Sequence, residues 1–103
     1  MLVGSRVTLD EFRTGLTAAT PPAGLTPPLA ALWHTAKGDW DQAHRIVMDE
    51  ANTDAAWVHA YLHRVEGDLG NAGYWYRQAG RPPADGPLAD EWTTIVAVLL
   101  GQS

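Results

Sequence analysis

The chain has 103 residues, a net charge of −5 at pH 7 and no cysteine, and 46% of its residues are hydrophobic. We therefore expect one modest hydrophobic core, and the composition excludes disulfides, thiol catalysis and cysteine-based zinc sites. The acidic balance argues against a nucleic-acid binder, which would normally carry a basic face. The longest apolar run, Ile95 to Leu100, has six residues and is too short to cross a membrane. The N-terminal segment lacks the apolar run of a signal peptide, so we expect a cytoplasmic protein.

Signals for the start and the end of helices recur along the chain. Thr8 and Glu11 have the spacing of a capping box, and Pro27 suits the first turn of a second helix. Asp39 and Asp68 each follow a glycine, as the cap of a new helix often does. Apolar residues at helical spacing follow these signals. The sequence predicts a single all-α domain, residues 1–103, with helices over residues 8–19, 27–37, 40–51, 54–66, 70–79 and 87–100.

A repeat links the two halves of this helical region. Gly38-Asp39 recurs as Gly67-Asp68 at an offset of 29 residues. The same offset relates three further residues to identical ones downstream, namely Ala31 to Ala60, His34 to His63 and Ala43 to Ala72. A fixed period of this size is typical of helical-hairpin repeats. It predicts two antiparallel helix pairs, residues 27–51 and 54–80, between an N-terminal and a C-terminal helix.

The segments "GDWDQA" and "EGDLGNAGYWYRQAG" resemble the turn and second helix of tetratricopeptide and Sel1-type repeats. In that pattern small residues and an aromatic follow the turn, as Ala72, Tyr76 and Ala79 do here. Glu50 stands where the first unit should have a small residue, so that unit departs from the family pattern. The segment "AWVHAYLHRVEGDLGNAGYWYRQAG" is also similar to a group of small bacterial and fungal proteins, a resemblance that implies no particular function.

The predicted helix at residues 54–66 has three stripes. One consists of Val58, Leu62 and Val65 and should be buried, a second of Trp57, Tyr61 and Arg64, and a third of His59, His63 and Glu66. The resemblance implies that the second stripe lines a concave surface, because the first helix of each repeat does so in that family. Two aromatics and an arginine suit a peptide or protein partner with an acidic group. The leading hypothesis is therefore a small helical-repeat scaffold, unless the terminal helix covers this stripe.

The third stripe offers an alternative, a metal-binding or hydrolytic protein. His59 and His63 are four residues apart, so both rings project from one side of a helix and could hold one cation, with Glu66 or His34 nearby. Histidines at such positions more often have structural or solvated roles, and we expect no cofactor. Catalysis has little support, because the chain has no glycine-rich phosphate loop and its two serines lie near the termini.

The last predicted helix, residues 87–100, carries a broad apolar surface that should be covered. It either caps the helical repeats or forms a homodimer interface. A purely structural, dimerising subunit is therefore a third hypothesis.

Overall fold

The computed structural model describes residues 7–101, and within this range it contains six α-helices and no β-strand. The helices are α1 (Leu9–Thr14), α2 (Pro27–Ala36), α3 (Trp40–Met48), α4 (Thr53–Val65), α5 (Leu69–Ala79) and α6 (Leu88–Gly101). The prediction of an all-α fold is confirmed. None of these helices has the length and apolar character needed to cross a membrane.

Helices α1, α3 and α5 begin where the capping residues predict. Thr8 and Glu11 form the reciprocal capping box at the start of α1. The Asp39 side chain accepts a hydrogen bond from the amide of Gln42, and the Asp68 side chain accepts one from the amide of Asn71. The glycine before each aspartate has a φ near +85°, the left-handed region, with values of +83° at Gly38 and +86° at Gly67. Both Gly-Asp turns therefore use the same backbone geometry.

Two helices are shorter than the sequence predicts. The first was expected to reach residue 19, but α1 ends at Thr14 and a single 3-10 turn, Gly15–Thr17, follows it. The Gly15 carbonyl accepts a hydrogen bond from the Ala18 amide at 3.1 Å, which closes this turn, and a second one from the Trp33 indole at 3.2 Å.

The helix expected to end at residue 51 ends at Met48. The next helix begins at a cap that the sequence analysis did not use. Asn52 adopts an extended backbone, and its side chain accepts a hydrogen bond from the Ala55 amide at 2.8 Å. A residue with this geometry starts α4 and so cannot continue α3.

Helix α4 is the centre of the fold. It packs most extensively against α5 and also contacts α2, α3 and α6. Its residues from Ala55 to His63 are all buried. Helix α6 lies across α1, α2 and α4, and the Trp92 indole donates to the Leu32 carbonyl at 2.9 Å. The apolar stripe of α6 therefore lies largely in the core of its own chain, and homodimerisation through residues 87–100 stays a prediction.

Replacing Ala72 by Leu should lower the free energy of unfolding by about 1–3 kcal/mol, measured by urea denaturation. Ala72 is 2% exposed on α5, so the added atoms have no free space. Gly73→Ala on the same helix is the control. The nearest atom to the added methyl is the flexible Arg77 Nη1 at 3.7 Å, so this change should stabilise by about 0.5–1 kcal/mol. Equal effects of the two changes would contradict tight packing at Ala72.

Candidate metal centre

Three histidine side chains from two helices meet on one side of α4. His44 lies on α3, and His59 and His63 lie one turn apart on α4. One ring nitrogen from each residue can be chosen so that all three lie within 4.8 Å of one another. The Nε2 atoms of His44 and His59 are 3.0 Å apart. We call these three residues the histidine cluster.

Two tryptophans hold the cluster from either side. The Trp40 ring stacks on His44 with centroids 4.8 Å apart and planes 11° from parallel. Its indole N–H also donates to the Leu62 carbonyl at 2.7 Å, which fixes the start of α3 against the end of α4. The Trp75 ring, from α5, stacks on His59 at 4.0 Å and 11°. Both rings of the close His44–His59 pair are therefore held in orientation by an aromatic neighbour.

The third ring is oriented by a carboxylate. His63 Nδ1 lies 2.6 Å from Glu66 Oε1, and Glu66 is the residue directly after the last residue of α4. Because an ionised carboxylate can only accept, the Nδ1 atom carries the proton in this contact. In the neutral ring the lone pair is then on Nε2, the usual arrangement of a metal-binding histidine with a carboxylate partner.

Burial favours the neutral form of the His44 and His59 rings. The exposed fraction is 5% for His59 and 6% for His63, whereas His44 is half-buried. Burial, followed by the effects of the nearby His44 and His63, lowers the pKa of His59 to about 4. Burial also lowers the pKa of His44, followed by the effect of His63. A neutral imidazole has the free lone pair that a metal ion requires.

The geometry of the cluster fits a transition-metal ion. Ligand nitrogens about 2 Å from a tetrahedral ion stand roughly 3.3 Å apart. The His44–His59 separation of 3.0 Å is close to this value, and the wider separations, up to 4.8 Å, would have to contract.

The cluster only partly matches the stripe that the sequence predicts. His59 and His63 do lie together, but Glu66 contacts His63 Nδ1 rather than standing as an equal third ligand. His34 lies on α2 with its ring against Trp33. The third ring is that of His44, which sequence analysis missed. One signal for His44 was available in the sequence. This residue lies four residues after Trp40, in a short helix that follows the repeated Gly-Asp turn.

The other stripe of α4 faces α6. Trp57 and Tyr61 are each 6% exposed. Arg64 Nη1 donates to Glu91 Oε1 at 2.8 Å, and its Nη2 donates to the Gly86 carbonyl. The acidic group that Arg64 meets is therefore a carboxylate of its own chain.

Glu91 is buried on the inner side of α6. Its second oxygen accepts a hydrogen bond from the Tyr76 hydroxyl on α5. Burial and this carboxylate raise the pKa of Tyr76. Burial raises the pKa of Tyr61 to about 12, with Glu91 as the second cause. Both phenols therefore remain protonated at neutral pH.

A surface cavity of about 350 Å³ lies between Trp57, the segment 81–87 and α6. The Arg81 guanidinium covers the Trp57 ring at 3.8 Å from its centroid. The acidic residues in the wall, among them Asp85 and Asp90, suit a cationic more than an anionic ligand.

Arg64→Ala should lower the free energy of unfolding by about 3 kcal/mol, because it leaves the Glu91 carboxylate buried without its ion-pair partner. The Glu91 side chain is 6% exposed. Chemical denaturation measures the effect, and Arg77→Ala, at an exposed position of α5, is the control with an expected change within about 0.5 kcal/mol. A similarly small effect of Arg64→Ala would mean that the guanidinium is available to an external partner.

Comparisons with protein families, with curated proteins and with solved structures find no match for this chain. The resemblance to tetratricopeptide and Sel1-type repeats therefore stays a prediction.

Proposed function

We propose that this protein binds a divalent transition-metal ion, zinc in the first place, through His44, His59 and His63. The observation that supports the proposal is the convergence of three imidazole nitrogens within 4.8 Å, from two helices, in a largely buried position. Isolated surface histidines do not produce such an arrangement. The proposal develops the metal-binding alternative of the sequence analysis, with His44 as an added ligand.

The donor set favours zinc, copper, nickel or cobalt over calcium and magnesium. Imidazole nitrogen suits the first group, whereas the hard cations take oxygen ligands. A site of three imidazoles has no net charge of its own, so the affinity comes from the nitrogen lone pairs rather than from anionic ligands. In vitro, copper(II) should bind at least as tightly as zinc, in line with the general order of divalent affinities.

The carboxylate of Glu66 supports the proposal in a different role from the ligand that the sequence suggested. A carboxylate bound to the second nitrogen of a ligating ring fixes the tautomer and makes the other nitrogen a better donor. Glu66 is exposed on its outer side, with 39% of its side chain accessible, so it adds this effect without burying a charge.

Peptide binding at a concave face is the second candidate, and the cavity beside Trp57 favours it. A carboxylate-bearing partner would have to displace Glu91 from Arg64, so a partner with a cationic group suits the cavity better. The tetratricopeptide-like pairing of residues 27–51 and 54–80 belongs to the same proposal. The close packing of α2 on α3 and of α4 on α5, across two similar Gly-Asp turns, supports it.

The untagged protein should bind one zinc ion per chain, measured by calorimetry and by metal analysis after dialysis. His44→Ala and His59→Ala should each weaken binding at least 100-fold, because each removes one of three ligands. His34→Ala is the matched control, since it removes a histidine of the neighbouring helix outside the cluster, and it should leave the Kd unchanged. Equal loss in all three variants, or no loss in any, would contradict the proposal.

Glu66→Gln should weaken zinc binding by about 10–100-fold while the melting temperature of the metal-free protein changes little. The glutamine keeps the size of the side chain but removes the charge that polarises the His63 ring. Glu66→Asp should recover part of the affinity if the carboxylate still reaches Nδ1. An unchanged Kd in Glu66→Gln would show that the contact of 2.6 Å has no role in metal binding.

A further inference from the structure

The histidine cluster supplies three ligands, whereas zinc in proteins is usually four-coordinate. Three carboxylates near the cluster are considered for the fourth position: Glu66, Asp68 and Asp41, the last of which acts electrostatically on His44. Among the described residues, Glu66 and Asp68 group with His63 but not with His44 or His59. Glu66 is already bound to the Nδ1 side of His63, and an oxygen of Asp68 caps α5 by accepting from Asn71. In the described part of the chain, no fourth His, Asp or Glu side chain therefore joins the three rings as a ligand.

The charge of an ion held by the histidine cluster favours an anion as the fourth ligand. Three neutral imidazoles leave the two positive charges of the ion uncompensated within the cluster. Glu66 acts on them through His63, and the exposed Asp41 acts only from outside, near His44. The exposed fractions of 5% for His59 and 6% for His63 mean that water screens the remaining charge only partly. An ion pair formed in such a position is stronger than one formed in bulk water.

Access of a ligand to the histidine cluster is restricted but not closed. His44 is half-buried, so solvent reaches part of this residue on the α3 side. The indoles of Trp40 and Trp75 lie against the rings of His44 and His59, with stacking distances of 4.8 and 4.0 Å. These large side chains limit the room around the cluster, which favours a ligand of only a few atoms.

We infer that the metal centre keeps one exchangeable coordination position, and that this position takes a small monoanion such as a carboxylate from solvent. The inference rests on the proposed function, since it concerns the ion held by the histidine cluster. An exchangeable position distinguishes a reactive zinc site from a closed structural one. It would make a carboxylate-bearing small molecule the class of ligand that this protein recognises.

The test uses the cobalt(II)-substituted full-length protein, whose visible absorption reports the ligands of the metal. Azide and acetate are the probes, added to protein that contains one cobalt per chain. The spectrum should change with each anion, saturate, and return when the anion is removed by dialysis. His34→Ala should show the same titration as the unmodified protein.

A cobalt spectrum that does not respond to either anion would overturn the inference and leave metal binding intact. Asp68→Asn identifies the cause, because asparagine keeps the helix cap but is a poorer ligand. If only Asp68→Asn responds to azide, Asp68 fills the fourth position and the site is closed. If cobalt does not bind at all, the proposed function fails and the inference fails with it.

Discussion

The buried carboxylate of Glu91 connects the last helix to the centre of the fold. It accepts hydrogen bonds from Arg64 on α4 and from Tyr76 on α5, and only 7% of the residue is exposed. A buried charge is costly unless it is paired and hydrogen-bonded. Helix α6 is therefore favoured in the position where both donors reach the carboxylate. This position covers the stripe of Trp57 and Tyr61 and leaves the opposite face of α4 to α3 and α5.

The two polar faces of α4 have opposite character. On the α6 side, a positive and a negative side chain of the same chain neutralise each other. On the α3 side, three imidazole rings face one another, and the Nε2 atoms of His44 and His59 are in hydrogen-bond contact at 3.0 Å. One ring nitrogen from each of the three residues lies within 4.8 Å of the other two in one largely buried place. A cation would use all three nitrogens at once, and this difference is why we place function on the α3 side.

Local signals in the sequence predicted the helices well. The caps at Thr8, Asp39 and Asp68 depend on residues close in the chain, so spacing alone was sufficient. The three stripes of α4 were also visible, because helical geometry determines them. The prediction that Val65 is buried was wrong, because this residue lies at the exposed end of the helix. What covers each stripe depends on residues far away in sequence. Glu91 lies 27 residues after Arg64, and His44 lies 15 residues before His59, so neither partnership leaves a periodic pattern.

The division of the histidine cluster between two helices also has a kinetic consequence. Helix α3 contributes one ring, His44, and the Trp40 indole holds the start of this helix on the Leu62 carbonyl. Local opening of a short helix costs less free energy than unfolding of the whole domain. The residence time of a bound ion would then follow how often α3 separates from α4. A chelator or a metal-transfer partner could take the ion during such an opening while α4, α5 and α6 remain folded.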